Sequence, residues 1–110
     1  MASRYPSICF VLGTRPEIIK LAPLIRECGR RRVPYFMIHT NQHYDFRLDR
    51  IFFRELAVPA ADYNLRIGSG SHGSTTGRMI EQVERILVRR RPDIVLVQGD
   101  TNSVLAGAIA

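Results

Sequence analysis

Two short polar turns each follow a continuous apolar run, and this repeated junction is the strongest constraint on the fold. Ile8 to Leu12 leads into Gly13-Thr14-Arg15-Pro16-Glu17, and Ile94 to Val97 leads into Gln98-Gly99-Asp100-Thr101-Asn102. Apolar runs this short, without polar alternation, suit strands covered on both faces, as in a parallel sheet. Helical spacing follows the first junction. Ile18, Leu21, Ala22, Ile25 and Cys28 recur along one face of a predicted helix from Pro16 to Gly29, with Gly29 as its expected stop.

The same alternation continues. Val33 to Thr40 reads as a strand, Asp45 to Leu56 as a helix, and Tyr63 to Ile67 as a short extended piece. Thr76 to Arg90, with Met79, Ile80, Val83, Ile86 and Leu87 on one face, reads as a helix leading into a strand from Asp93 to Val97. Strands alternating with helices of this length imply an α/β fold, a Rossmann-like parallel sheet with crossover helices. Pro23 falls inside the first predicted helix and is expected to bend it. Ile67 to Gly77, rich in Gly and Ser, reads as a surface loop.

At 110 residues the chain has room for one modest domain. Hydrophobic residues make up 45% and charged residues 24%, a balance that excludes a disordered chain. No apolar stretch approaches the ~20 residues that span a bilayer, and Met1 to Ser7 lacks the pattern of a secretory signal. A cytoplasmic location without membrane association is therefore expected. Ser103 to Ala110 reads as the start of an apolar helix with no polar stop, as expected for residues 1–110 forming an amino-terminal domain that is itself incomplete.

The net charge of +6 raises the question of nucleic acid. Its densest clusters, Arg30 to Arg32 and Arg89 to Arg91, fall at carboxyl ends of predicted helices, where cations offset the macrodipole. With no recognition motif beside them, solvated helix ends are the expectation and a nucleic-acid partner is not. Cys9 and Cys28 lack metal-ligand spacing and read as buried reduced thiols. The three histidines also lack it, so no metal is expected.

In open α/β sheets ligands bind outside the carboxyl ends of the strands, where both polar turns fall. Gly13 permits a tight turn, Thr14 and Glu17 have capping-box spacing, and a helix start favours an anion. Arg15 adds a planar fork suited to phosphate, and Lys20 a point charge one and a half turns later. Lys20 is the sole lysine among 16 basic residues. The Gly-Lys-Ser/Thr ending of a nucleotide hydrolase loop is absent. Asp100 emerges from a strand end, a partly desolvated setting that suits proton transfer, although capping of a following helix by Asp100 or Thr101 is an equal reading. The paired aspartates of acidic-nucleophile phosphatases do not occur. His39, Gln42 and His43 gather at the end of the second strand, either lining a pocket or satisfied by backbone.

Three ordered blocks carry a resemblance. Phe10 to Glu17 with Lys20-Leu21-Ala22-Pro23-Leu24, then Thr40-Asn41-Gln42-His43, then Pro92 to Thr101, resemble the amino-terminal domain of the non-hydrolysing UDP-N-acetylglucosamine 2-epimerases. The resemblance runs from about Ile8 to Ala110. It implies the amino-terminal half of a two-domain glycosyltransferase-B architecture, whose second, UDP-binding domain is absent from this chain. It also implies interconversion of UDP-N-acetylglucosamine and UDP-N-acetylmannosamine with neither metal nor nicotinamide cofactor, and a homodimer for the full-length protein.

Position by position, Arg15 and Lys20 in the Gly13-Thr14 block match residues that contact the nucleotide or its diphosphate. Asp100 matches an acidic member of the catalytic set, beside Thr101, and Gln42 and His43 match a block that helps form a regulatory UDP-N-acetylglucosamine site in bacterial relatives. Arg66 to His72 departs from the more basic bacterial stretch and looks like archaeal versions. Further catalytic residues of the family lie beyond Ala110, so this chain alone is not expected to turn over substrate. Two alternatives stand beside this expectation. One is a hydrolysing epimerase or transferase of the same architecture, and the other is a non-catalytic, truncated or anion-binding module.

Overall fold

The computed structural model describes residues 5–40, 46–65, 70–98 and 109. Strand β1 (Ile8–Leu12) leads into helix α1 (Arg15–Arg31), β2 (Tyr35–His39), α2 (Phe46–Glu55), β3 (Tyr63–Asn64), α3 (His72–Arg90) and β4 (Ile94–Val97). All strand pairs are parallel, in the order β3-β2-β1-β4. The Rossmann-like α/β class read from the alternation is the one formed.

Side-chain alternation assigns the helices to faces. Phe10, Leu12 and Met37 pack with Ile18, Leu21 and Ile25 of α1 and Phe53 of α2. Cys9, Val11, Phe36 and Ile38 pack on the other face with Val83, Ile86 and Leu87 of α3. The chain therefore fills one face while moving outward from β1, then crosses to the opposite face to place β4 on the free side of β1. That reversal makes the β1–β4 boundary the topological switch point, where open parallel sheets bind ligands.

The two edges of the sheet are tied by side chains as well as by backbone. At the amino edge the Ser7 amide donates to the Asp93 carboxylate at 2.8 Å, and the Asp93 amide returns a bond to the Ser7 carbonyl at 2.9 Å. Strand β3 has two residues, and Asp62 extends its pairing: the Met37 amide donates to the Asp62 carboxylate at 2.8 Å while the Asp62 amide donates to the Met37 carbonyl at 3.1 Å. Cys9 and Cys28 are buried free thiols, and burial pushes the Cys9 thiol up to about 12.

Two local expectations are corrected. Helix α1 does not stop at Gly29 but runs to Arg31 and closes at Arg32 in the left-handed region, φ 58°. The two extra residues let the Glu27 carboxylate accept from Arg30 and from Arg31, pairs that exist only while the helix continues. Helix α3 starts at His72 rather than Thr76, so the second half of the supposed loop is helical. The Ser71 hydroxyl accepts from the Ser74 amide at 3.2 Å, and buried Thr75 donates its hydroxyl to the Ser71 carbonyl at 3.0 Å. Capping and burial there outweigh the poor helix propensity of Gly73 and Gly77. Arg90 is an exposed cation in the last turn of α3, as expected, and it also makes contacts across the sheet. Its guanidinium lies 4.1 Å from the centroid of the Phe36 ring and donates to the Tyr63 hydroxyl at 2.9 Å. Pro23 sits inside α1 on its exposed side, and the helix continues through it.

A Cβ added at Gly29 meets nothing within 4 Å. Gly29→Ala is expected to raise stability by about 0.5–1 kcal/mol, the helix-interior difference between the two residues. Arg32→Gly is expected to add about 1 kcal/mol by relieving left-handed strain. Urea denaturation of each variant measures both, and a lowered midpoint for Gly29→Ala contradicts the assigned helix.

Candidate functional site

Strand β1 delivers Gly13 to the carboxyl edge of the sheet. Thr40, fully buried, braces this point: its amide and its hydroxyl both donate to the Leu12 carbonyl, at 2.8 and 3.2 Å. Thr14 is the N-cap of α1, and the expected capping box is complete. The Glu17 amide donates to the Thr14 hydroxyl oxygen at 3.4 Å, and the Thr14 amide and hydroxyl donate to the Glu17 carboxylate at 3.2 and 3.1 Å. Glu17 is only 3% exposed, so a buried carboxylate sits beneath the turn.

This geometry revises how the turn meets an anion. Pro16 has no N–H, and the Thr14 and Glu17 amides are consumed within the box. The Ile18 amide donates to the Thr14 carbonyl at 3.0 Å. At most the Arg15 amide remains of the first turn, so attraction for an anion falls mainly to side chains rather than to the bare helix terminus.

Arg15 and Lys20 are both exposed. Five residues on one helix place them about 140° apart around the axis. Arg15 lies on the flank of α1 that faces α2, where its guanidinium carbon is 5.4 Å from the centroid of the Phe52 ring. Lys20 lies on the outward side. One diphosphate touched by both must sit over the start of α1, with Lys20 leaning back along the helix in the direction that helical side chains take. The Arg15–Phe52 contact was not legible in the sequence, where Phe52 reads as one apolar residue of α2.

On the other side of the switch point, the register pairs Val11 with Val97. This aligns the ends of β1 and β4, so the chain leaves the sheet at Gly13 and at Gln98 side by side. Asp100 and Thr101, like Gln42 and His43, lie outside the described residues. His39 belongs to the second strand, as the reading of Val33 to Thr40 has it. It closes β2, is 1% exposed, and meets Phe53 of α2 edge to face at 6.0 Å. Burial lowers its pKa to about 4, which keeps the ring neutral at pH 7. Among the described residues no group of three or more His, Cys, Asp or Glu is placed to hold a metal ion, and no helix is long and apolar enough to cross a membrane.

Comparison with known proteins now meets this geometry. Residues 26–110 match the family described as UDP-N-acetylglucosamine 2-epimerase. The chain belongs to that family. It is 59% identical over 94% of its length to a UDP-N-acetylglucosamine 2-epimerase of Methanococcus maripaludis, of which it spans 28%. It is 40% identical over 94% of its length to a UDP-2,3-diacetamido-2,3-dideoxy-D-glucuronate 2-epimerase of Pseudomonas aeruginosa, spanning 29% of that protein. The crystal structure of the Methanocaldococcus jannaschii UDP-GlcNAc 2-epimerase, in complex with UDP-GlcNAc and UDP, superposes with a TM-score of 0.86 at 53% identity. That match covers 94% of this chain and 28% of the crystallised one. The fold of this epimerase-family chain is thus that of a glycosyltransferase-B protein's Rossmann-like sheet.

The buried His39 carries a pH prediction. Between about pH 6.5 and 4 the unfolded chain binds a proton at His39 that the folded chain does not, so stability rises with pH across that window. The contribution is complete above pH 6.5 and is lost progressively toward pH 4, a loss on the order of 3 kcal/mol. Urea midpoints measured at pH 7 and pH 5 check this. His39→Gln is expected to flatten the difference between them, and an unchanged difference removes His39 as its source.

Proposed function

We propose that the full-length protein carrying this chain is a UDP-N-acetylglucosamine 2-epimerase that interconverts UDP-N-acetylglucosamine and UDP-N-acetylmannosamine. In this reaction the C2–H and C1–O bonds break, UDP leaves, and a 2-acetamidoglucal forms. UDP then adds back at C1 as C2 takes a proton on its opposite face. The reading is carried by the cationic Gly13–Arg15 turn at the switch point of a sheet that matches, at 53% identity, a structure holding UDP-GlcNAc and UDP.

Within this reading, Arg15 and Lys20 stabilise the departing diphosphate, and Asp100 takes part in proton transfer at the sugar. Gly13 and Thr14 shape the turn, and Thr101, next to Asp100 in sequence, belongs with the pocket or the regulatory site. Gln42 and His43 contribute to a second, regulatory UDP-N-acetylglucosamine site. Residues 1–110 supply the amino-terminal Rossmann-like half, and a second domain outside this chain closes on the uridine. The full-length enzyme is a cytoplasmic homodimer that supplies precursor for N-acetylmannosamine-containing polysaccharides. The Pseudomonas relative's name marks the wider chemistry as C2 epimerisation of UDP-linked acetamido sugars. Identity of 59% against 40% favours UDP-N-acetylglucosamine as substrate.

Proton NMR in D2O of the full-length protein with UDP-N-acetylglucosamine tests the proposal. UDP-N-acetylmannosamine carrying deuterium at C2 is the expected product. Free N-acetylmannosamine would make the protein a hydrolysing epimerase instead, and an unchanged spectrum from folded protein would leave a binding module. Asp100→Asn is expected to suppress epimerisation while UDP affinity stays within about tenfold, the pattern of a group that acts mainly in the transition state. Near-normal turnover by that variant removes Asp100 from the mechanism.

A further inference from the structure

A long cation at the mouth of a site is useful only if it is held in place, and the first turn of α1 does not hold Arg15. The side chain is exposed, and among the described residues no carboxylate pairs with it. Ordering such a rotamer-rich side chain when a ligand arrives opposes binding. What lies under the guanidinium is Phe52, at 5.4 Å from ring centroid to guanidinium carbon, within the ~6 Å reach of a cation–π contact.

Phe52 is itself well held. It is half-buried and packs against the core cluster shared by α1 and α2. Its neighbour Phe53 is 2% exposed and locks against His39 at the end of β2. One turn further on, Arg26 of α1 donates to the Leu56 carbonyl at 2.6 Å. Arg26 and Arg15 lie on the same flank of α1, since eleven residues return a helix to nearly the same angle, within about 20°. Helix α2 is thus pinned to β2 beside Phe52 and to α1 just beyond it.

We propose that Phe52 is a positioning residue, whose ring shelves the Arg15 guanidinium so that its fork faces the diphosphate of the nucleotide sugar. The proposal rests on the nucleotide-sugar reading above. An aromatic face is suited to this task because it attracts the flat side of a guanidinium and leaves the in-plane N–H donors for the ligand. A carboxylate partner would occupy those donors and repel the phosphates. Arg90 shows the contrasting case at the opposite edge of the sheet. There Phe36, Tyr63 and the Tyr63 hydroxyl engage both the face and the donors of the guanidinium, as befits a structural clamp.

The test uses the full-length protein, with UDP binding by calorimetry and steady-state turnover of UDP-N-acetylglucosamine. Phe52→Leu is expected to weaken UDP and raise KM about 3- to 5-fold, the factor matching a surface cation–π contact. Turnover kcat should stay within about twofold, since the contact serves ground state and transition state alike. Phe52→Tyr, which keeps the ring face, is expected to restore wild-type KM. In an Arg15→Ala background Phe52→Leu is expected to change UDP affinity by less than about twofold. If Phe52→Leu does not fold, Phe52→Met takes its place in both backgrounds. An equal loss with and without Arg15, no loss in the wild-type background, or tighter UDP binding by the variant overturns the shelf while leaving the epimerase reading intact. A wild-type protein that neither binds UDP nor converts the sugar overturns both.

Discussion

The double-sided pairing of β1 is the interaction on which the remaining structure depends. Its backbone is bonded to β2 along one edge and to β4 along the other, and Cys9 to Leu12 are at most 1% exposed. Burying each large apolar side chain contributes about 1.5–3 kcal/mol, and a polar residue here would have to be desolvated on either face. Because β1 is central, the point where it ends is fixed from both sides. Gly13 and the cap of α1 therefore inherit the rigidity of the sheet, which is what a site for a charged ligand needs.

Arginine serves several separate physical roles among the described residues. At the helix ends Arg30 and Arg31 share the Glu27 carboxylate and hold it down to about 2, which extends α1 beyond its glycine. Arg90 stacks on aromatic rings and ties α3 to β2 and β3. Arg15 lies over the Phe52 ring at the carboxyl edge, beside the switch point. A basic composition that suggests one surface property thus divides into contacts set by the position of each of these residues on its helix.

The capping box at Thr14 has two consequences that pull in opposite directions. It fixes the chain's exit from β1 and satisfies amides that would otherwise be orphaned, an effect of about 1 kcal/mol. The same contacts remove those amides from the ligand and place the buried Glu17 carboxylate behind the turn. Anion recognition at this end of α1 accordingly depends on side chains reaching beyond the helix terminus. The aromatic support of Arg15 by a neighbouring helix gains its importance from that fact.

Local sequence determined the elements, their order and the buried stripe of each helix. Continuous apolar runs specify strands covered on both sides, the i, i+3, i+4 spacing of Ile18, Leu21, Ala22 and Ile25 specifies the buried stripe of α1, and Thr14 with Glu17 specifies its start. These are one-dimensional patterns, because a period of 2 or 3.6 residues is written along the chain itself. Helix ends were less legible: Gly29 and the Gly/Ser stretch before Thr76 carry the composition of stops, yet Glu27 with its arginines and Ser71 with buried Thr75 extend the helices past them. Only the tertiary structure decided that α3 crosses to the opposite face, that His39 is buried against Phe53, and that Arg15 of one helix rests on Phe52 of another. Each of these depends on contact between residues distant in sequence, and no local periodicity encodes which residue meets which across the sheet.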